Sequence, residues 1–169
     1  MRRFIVVAGI LLPGLFLSAC GAKTIESNRL ILTFKSDIEI SFEKLSLTAK
    51  IARTEGDTQV EITSPGILCG LKISHGKSGN SIAKNGLEYR TDEIVLPIES
   101  SVAAIFEVLD FMVDNVDEEP FYKDSEEMAF IGKVDAGKFE LRADRKTGFI
   151  TEIKYGDKAT IKFSNQEKL

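Results

Sequence analysis

The chain has 169 residues, about one domain's worth, with 43 % apolar and 28 % charged residues; that balance excludes a disordered, collagen-like or polytopic membrane chain. One histidine, two cysteines and no tryptophan leave no material for a multi-histidine metal site, a zinc finger or a disulfide framework. A net charge of −4 without a basic excess argues against a nucleic-acid partner.

The first twenty residues read as an address. Arg2 and Arg3 precede an apolar run from Phe4 to Leu17, which is short for a transmembrane helix but right for a signal-peptide core. Leu17-Ser18-Ala19-Cys20 then resembles a bacterial lipobox, in which the cysteine thiol accepts a diacylglycerol and becomes the new N-terminus. Small residues before the cleavage point fit a narrow peptidase cleft. The expected division is a signal peptide over 1–19, a lipidated tether over 20–28 and one domain over 29–169. Cleavage leaves 20 basic against 26 acidic residues, a formal −6, so the lipid on Cys20 and not a basic face would hold the protein at the membrane. The expected location is the extracytoplasmic side of a cell membrane, with no cofactor beyond that covalent lipid.

From Leu30 to Phe42 the even positions are apolar except Ser36, and from Thr33 the odd ones are polar, which predicts a strand with one wet and one buried face. Leu45, Leu47, Ala49 and Ile51 repeat the pattern, and Val60 and Ile62 follow the turn at Glu55-Gly56-Asp57. Pro65-Gly66 is a second turn, Leu71 and Ile73 mark the next strand, and Gly76 to Asn80 closes it. Asn85-Gly86 predicts a tight hairpin before Leu87 and Tyr89. The period then changes: Val102, Ile105, Phe106, Leu109 and Met112 are spaced by three and four, an amphipathic helix with Ser100 or Ser101 as N-cap. Strand signals resume at Met128 and Phe130 and run to Ile161 and Phe163. The expected fold is mainly β (α+β): a curved antiparallel sheet or half-barrel of about ten to eleven strands, with the helix in its concave face.

Little in this pattern carries chemistry. Gly76-Lys77-Ser78 lacks the first glycine of a phosphate loop, since Leu71 stands there. His75 has no nucleophile elbow to serve and reads as a turn residue. Cys69, between Leu68 and Gly70, reads as a small buried hydrophobe in a strand. Asp114, Asp117, Glu118, Glu119, Asp124, Glu126 and Glu127 lack the spacing and central glycine of an EF-hand and read as a solvated run. No catalytic residue and no metal ligand is assigned. The eleven phenylalanines are more informative. They fall largely on inner faces, and one helix over a long curved sheet leaves room for an acyl chain. Leu71, Ile105, Phe106, Leu109 and Phe130 are the lining candidates, with Phe111 a further helix aromatic.

Several stretches together resemble the LolA/LolB-like lipoprotein-carrier superfamily. They are the long first strands, Ser64-Pro65 leading into Gly70-Leu71-Lys72-Ile73, and the ending Leu141-Arg142-Ala143-Asp144-Arg145-Lys146-Thr147-Gly148-Phe149. The resemblance covers most of Leu30 to Asn165 and implies an incomplete antiparallel barrel around a hydrophobic concavity. It carries over no functional residue. The chain is also similar to small lipoproteins of spore-forming bacteria, including the germination lipoprotein, which binds a cell-wall amidase. Two functions follow as expectations. The first is a non-enzymatic, membrane-anchored lipoprotein that binds a lipid or acyl chain in its concavity. The second is a module that binds or activates a cell-envelope protein such as an amidase, through an edge strand or through outer-face charges such as Glu39 and Lys50.

Overall fold

The computed structural model describes residues 29–169 apart from 44, 92–100, 116–119, 123–125, 136 and 158, and of 121–122 the backbone alone. The segments expected to be signal peptide, lipobox and tether, with Cys20, lie outside the described residues, as do Ser100, Val116, Asp117, Glu118, Glu119 and Asp124. The first half of the chain forms β1 (Phe34–Phe42), β2 (Leu45–Arg53), β3 (Asp57–Ser64), β4 (Lys72–Gly76), β5 (Asn80–Lys84) and β6 (Leu87–Thr91). Helix α1 (Ser101–Asp114) follows, and then β7 (Phe121–Tyr122), β8 (Glu127–Val134), β9 (Gly137–Asp144), β10 (Ile150–Tyr155) and β11 (Ala159–Lys168).

All eleven strands belong to one sheet, ordered β6-β5-β4-β3-β2-β1-β11-β10-β9-β8-β7. Every neighbouring pair is antiparallel. The first six strands wind outward from the middle, and the last five return from the opposite edge until β11 pairs with β1, Ile38 against Phe163 and Ile40 against Ile161. Helix α1 connects the two edges. A flat sheet of this size would be about 50 Å wide, whereas a helix of this length spans about 20 Å, so both bury their apolar faces only if the sheet curls around the helix. This is the expected open, curved sheet, with a single helix among the described residues.

Period-two alternation places the core. Phe34, Ile38 and Ile40 of β1, Ala49 and Ile51 of β2, and Val60 and Ile62 of β3 are all buried. Leu141, Ile150, Ile153 and Ile161 repeat this on the returning side. Ser36, the break in the series, is itself buried, and its hydroxyl donates to the Ser164 carbonyl at 2.7 Å where the β1–β11 register shifts. The hairpin at Asn85-Gly86 forms as predicted, both residues taking positive φ (53° and 81°). Gly76 is held by its neighbours: at φ +149°, a Cβ there would lie 2.1 Å from the Gly56 carbonyl oxygen.

Three details differ from the sequence reading. Leu30 and Leu32 precede β1 instead of belonging to it. The chain bends at Thr33, and Ile31 is held by donating to the Gly148 carbonyl at 2.9 Å. Cys69 is exposed and lies in a turn, not a strand, because Leu68 and Cys69 both fold back to donate to the Pro65 carbonyl. Helix α1 is less amphipathic than its spacing suggests. Ser101 to Phe106 are all buried, and only from Glu107 onward does the helix show a wetter face.

Candidate functional site

Among the described residues the concave face has two parts, one filled by α1 and one left open. In the filled part, Ile105, Phe106 and Leu109 of the helix are at most 1 % exposed, and Phe130 of β8 is 6 % exposed. These four expected lining residues are therefore core side chains, packed between helix and sheet. Leu71 is only partly buried at the rim of the same core, and Phe111 lies edge-on against Phe139 at 5.3 Å.

The open part is the β4–β6 end. Strand register carries one inner-face row outward from Val60 to Ile73, then to Ile82, then to Tyr89. Exposure rises along that row. Val60 and Ile73 are buried, Ile82 is half-buried, and Tyr89 is 60 % exposed. Leu87, two residues from Tyr89 and on the same face, is 80 % exposed. The Lys84 ammonium donates to the Ile67 carbonyl at 2.5 Å, which ties the turn bearing Ile67 to this end of β5. Ile67 is itself 81 % exposed. The apolar inner face thus continues past the helix that covers it elsewhere.

At the boundary between the two parts sits a polar cluster that the sequence reading missed. Arg53 ends β2 at a position where the alternation Leu47, Ala49, Ile51 calls for another inward residue, and it is 3 % exposed. Its guanidinium donates to Asp110 Oδ1 of α1 at 2.8 Å, to the Leu109 carbonyl at 3.3 Å, and to the Thr58 hydroxyl. The second Asp110 oxygen, Oδ2, lies 2.9 Å from His75 Nε2. The other ring nitrogen, Nδ1, meets Asn80 Oδ1 at 2.5 Å, and the ring stacks on Phe106 at 5.2 Å. His75, read from sequence as a turn residue, therefore links β4 and β5 to the helix.

Oxygen acceptors at both ring nitrogens favour the imidazolium. The hydrogen bond to Asp110 raises the His75 pKa, outweighing the opposing effect of burial. Burial works against the Asp110 carboxylate, but the hydrogen bonds from His75 and Arg53 prevail and hold its pKa below the usual range. With both nitrogens committed, His75 is placed to bind and not to take a proton from a nucleophile. A cleft of about 570 Å³ opens beside the cluster, between Lys77 and Asp114. A second polar cleft, of about 560 Å³, lies on the convex side among Gln59, Lys72, Ser74, Ser81, Glu88 and Arg90. Glu39 and Lys50 are exposed on that convex side. Among the described residues no three His, Cys, Asp or Glu side chains converge as metal ligands, and no helix is long and apolar enough to cross a membrane.

The Asp144 to Gly148 turn, part of the family resemblance, is structural. Asp144 Oδ1 accepts from the Thr147 backbone at 2.7 Å, from its hydroxyl at 2.8 Å and from the Lys146 backbone at 3.0 Å, which together lower its pKa.

Among the described residues the architecture is an open antiparallel sheet curled on one helix, with an apolar end that none of them covers. No protein-family model and no curated protein matches the chain. Among solved structures it is similar to an uncharacterized conserved protein from Thermus thermophilus, with a TM-score of 0.50 and 11 % identity over 80 % of this chain and 78 % of that one. It is also similar to a LolA superfamily protein from Nitrosomonas europaea, at TM-score 0.41 and 10 % identity, over 86 % and 90 % of the two chains. A third, PNGF-II, aligns at TM-score 0.37 and 8 % identity, with 80 % of this chain covering 27 % of that protein. The first shares the fold; the other two superpose too loosely to argue from.

Proposed function

We propose that this chain is a non-enzymatic lipoprotein, anchored through Cys20 on the extracytoplasmic side of a membrane, that shelters an acyl chain or lipidated segment on the open end of its concave face. The observation that carries the reading is the inner-face row Val60–Ile73–Ile82–Tyr89, which stays apolar where the helix no longer covers it. A water-exposed apolar strip beside a packed core is costly unless something covers it in use. The lining moves accordingly. Ile82, Leu87 and Tyr89, with Leu71 at the rim, take the place of the core residues Ile105, Phe106, Leu109 and Phe130.

The test is native mass spectrometry on residues 20–169 carrying Cys20→Ser. A co-purifying mass of lipid size that disappears on organic extraction, and is absent from a Tyr89→Glu variant, supports sheltering. A clean unliganded mass moves the reading to an interaction module for a cell-envelope protein. The open edge of β6 favours that second reading, since Leu87 to Thr91 end the sheet order.

A further inference from the structure

Strand β6 ends the sheet among the described residues, and its protection is its short length and one charge of each sign, Glu88 and Arg90. Among the described residues it contains no proline, no lysine and no bulge, and it pairs with β5 in unbroken register. The two-residue turn at Asn85-Gly86 makes Lys84 and Leu87 the closing hydrogen-bonded pair, so Leu87, Tyr89 and Thr91 direct their backbone groups toward β5. The amides and carbonyls of Glu88 and Arg90 therefore point outward along the open edge.

We propose that this edge pairs with the same strand of a second copy, antiparallel, about a two-fold axis through Tyr89. Backbone hydrogen bonding restricts the choice of register, because outward-facing residues must oppose outward-facing residues. Among registers that pair at least three residues of each strand, that leaves three centres: Glu88, Tyr89 and Arg90. Centring on Glu88 sets two carboxylates opposite each other, and centring on Arg90 sets two guanidiniums opposite each other. Only the Tyr89 centre places Glu88 against the partner's Arg90 and Arg90 against the partner's Glu88. Both cross-strand pairs then join opposite charges on the convex side, each within a hydrogen-bonded backbone pair.

The charges are already matched within one copy, where Arg90 Nε donates to Glu88 Oε1 at 2.9 Å, so the dimer exchanges each ion pair for an equivalent one. On the concave side Tyr89 meets the partner's Tyr89 in a non-hydrogen-bonded pair, and Leu87 meets the partner's Thr91. These contacts cover the two most exposed apolar side chains of β6. The interface is isologous and closes as a dimer. Five residues of strand bury less than a standard interface, so the association is weak and concentration-dependent. This inference concerns the strand's edge and does not rest on the acyl-chain reading.

Sedimentation velocity of the full chain in detergent, from micromolar to near-millimolar concentration, tests it. The wild type is expected to associate reversibly into dimers. Glu88→Arg or Arg90→Glu alone turns two attractive pairs per dimer into two repulsive ones and weakens dimerisation on the order of tenfold or more. The double reversal Glu88→Arg/Arg90→Glu restores it. A second arm uses cysteines in a Cys69→Ser background. Tyr89→Cys lies opposite itself and is expected to form a disulfide-linked dimer on mild oxidation. Leu87→Cys lies about 14 Å along the strand from its own copy and is expected not to, since a disulfide needs Cα atoms within about 7 Å. A monomer at every concentration, single reversals without effect, or equal crosslinking at both positions would overturn the proposal.

Discussion

His75 Nε2 and Asp110 Oδ2 stand 2.9 Å apart, and through that contact the fourth strand holds the helix. Arg53 grips the other oxygen of the same carboxylate from the second strand. Two cations thus converge on one helical anion at the point where the covered concave face gives way to the open one.

This arrangement sets a pH window for stability. The His75 pKa is raised in the folded state, so its contribution is fully present below the unfolded value near 6.5 and fades as pH climbs through the folded value above it. The Asp110 pKa is lowered, so its contribution is present above the unfolded value near 3.8 and fades as pH falls through the folded value below it. Stability should therefore be greatest between those limits. Urea denaturation should give a lower midpoint at about pH 8.5 than at about pH 5.5, and His75→Gln should flatten that difference. An unchanged difference in the variant would assign the effect to other groups.

Arg53→Met removes a buried cation whose partners are Asp110, Thr58 and the Leu109 carbonyl. The Thr58 hydroxyl and that carbonyl are left to find new partners, and a loss of about 2–3 kcal/mol is expected. Asp110 is half exposed and can recover water, which keeps the loss at the lower end. Combined with Asp110→Asn, the double variant should be clearly less destabilised than the sum of the two single ones. Thermal or urea unfolding of the four proteins measures this coupling.

The two parts of the concave face should respond oppositely to truncation. Phe106→Ala empties a fully buried site, strips the stacking surface from His75 and should cost about 3–5 kcal/mol. Tyr89→Ser touches an exposed side chain and should change unfolding by no more than about 0.5 kcal/mol. Retained stability with lost ligand mass would mark Tyr89 as a binding residue and not a structural one.

Lipidation is tested directly in cells. On the proposed anchoring, Cys20→Ser should abolish incorporation of labelled fatty acid and shift the protein out of the membrane fraction. Persistence of the variant at the membrane would point instead to an uncleaved N-terminal helix.

Much of the fold was legible because alternation is a local signal. Leu47, Ala49 and Ile51, or Phe139 and Leu141, declare their inward side with neighbours two residues away, and the three-four spacing from Val102 to Met112 does the same for the helix. The polar cluster was not legible because its members meet only in space. Arg53 and Asp110 are 57 residues apart, and His75 and Asp110 are 35 apart. One clue was present all the same: Arg53 takes the inward place in the β2 alternation, where an apolar residue is due. The open end was hidden for another reason. Strands of five residues, such as β5 and β6, show too few turns of the alternation to reveal whether their apolar side is covered. Cys69 misled because its apolar neighbour suggested a strand where the backbone in fact turns back on Pro65.

The pairing of β1 with β11 puts the beginning and the end of the domain side by side in the middle of the sheet. Phe34 lies opposite Lys168 and Phe42 opposite Ala159, so a growing chain has no central seam until β11 has emerged. The core can close only once β11 is made, because until then the strands before and after the helix share no central pairing. Removal of the last ten residues would do more than shorten an edge: it would unzip the domain along its midline.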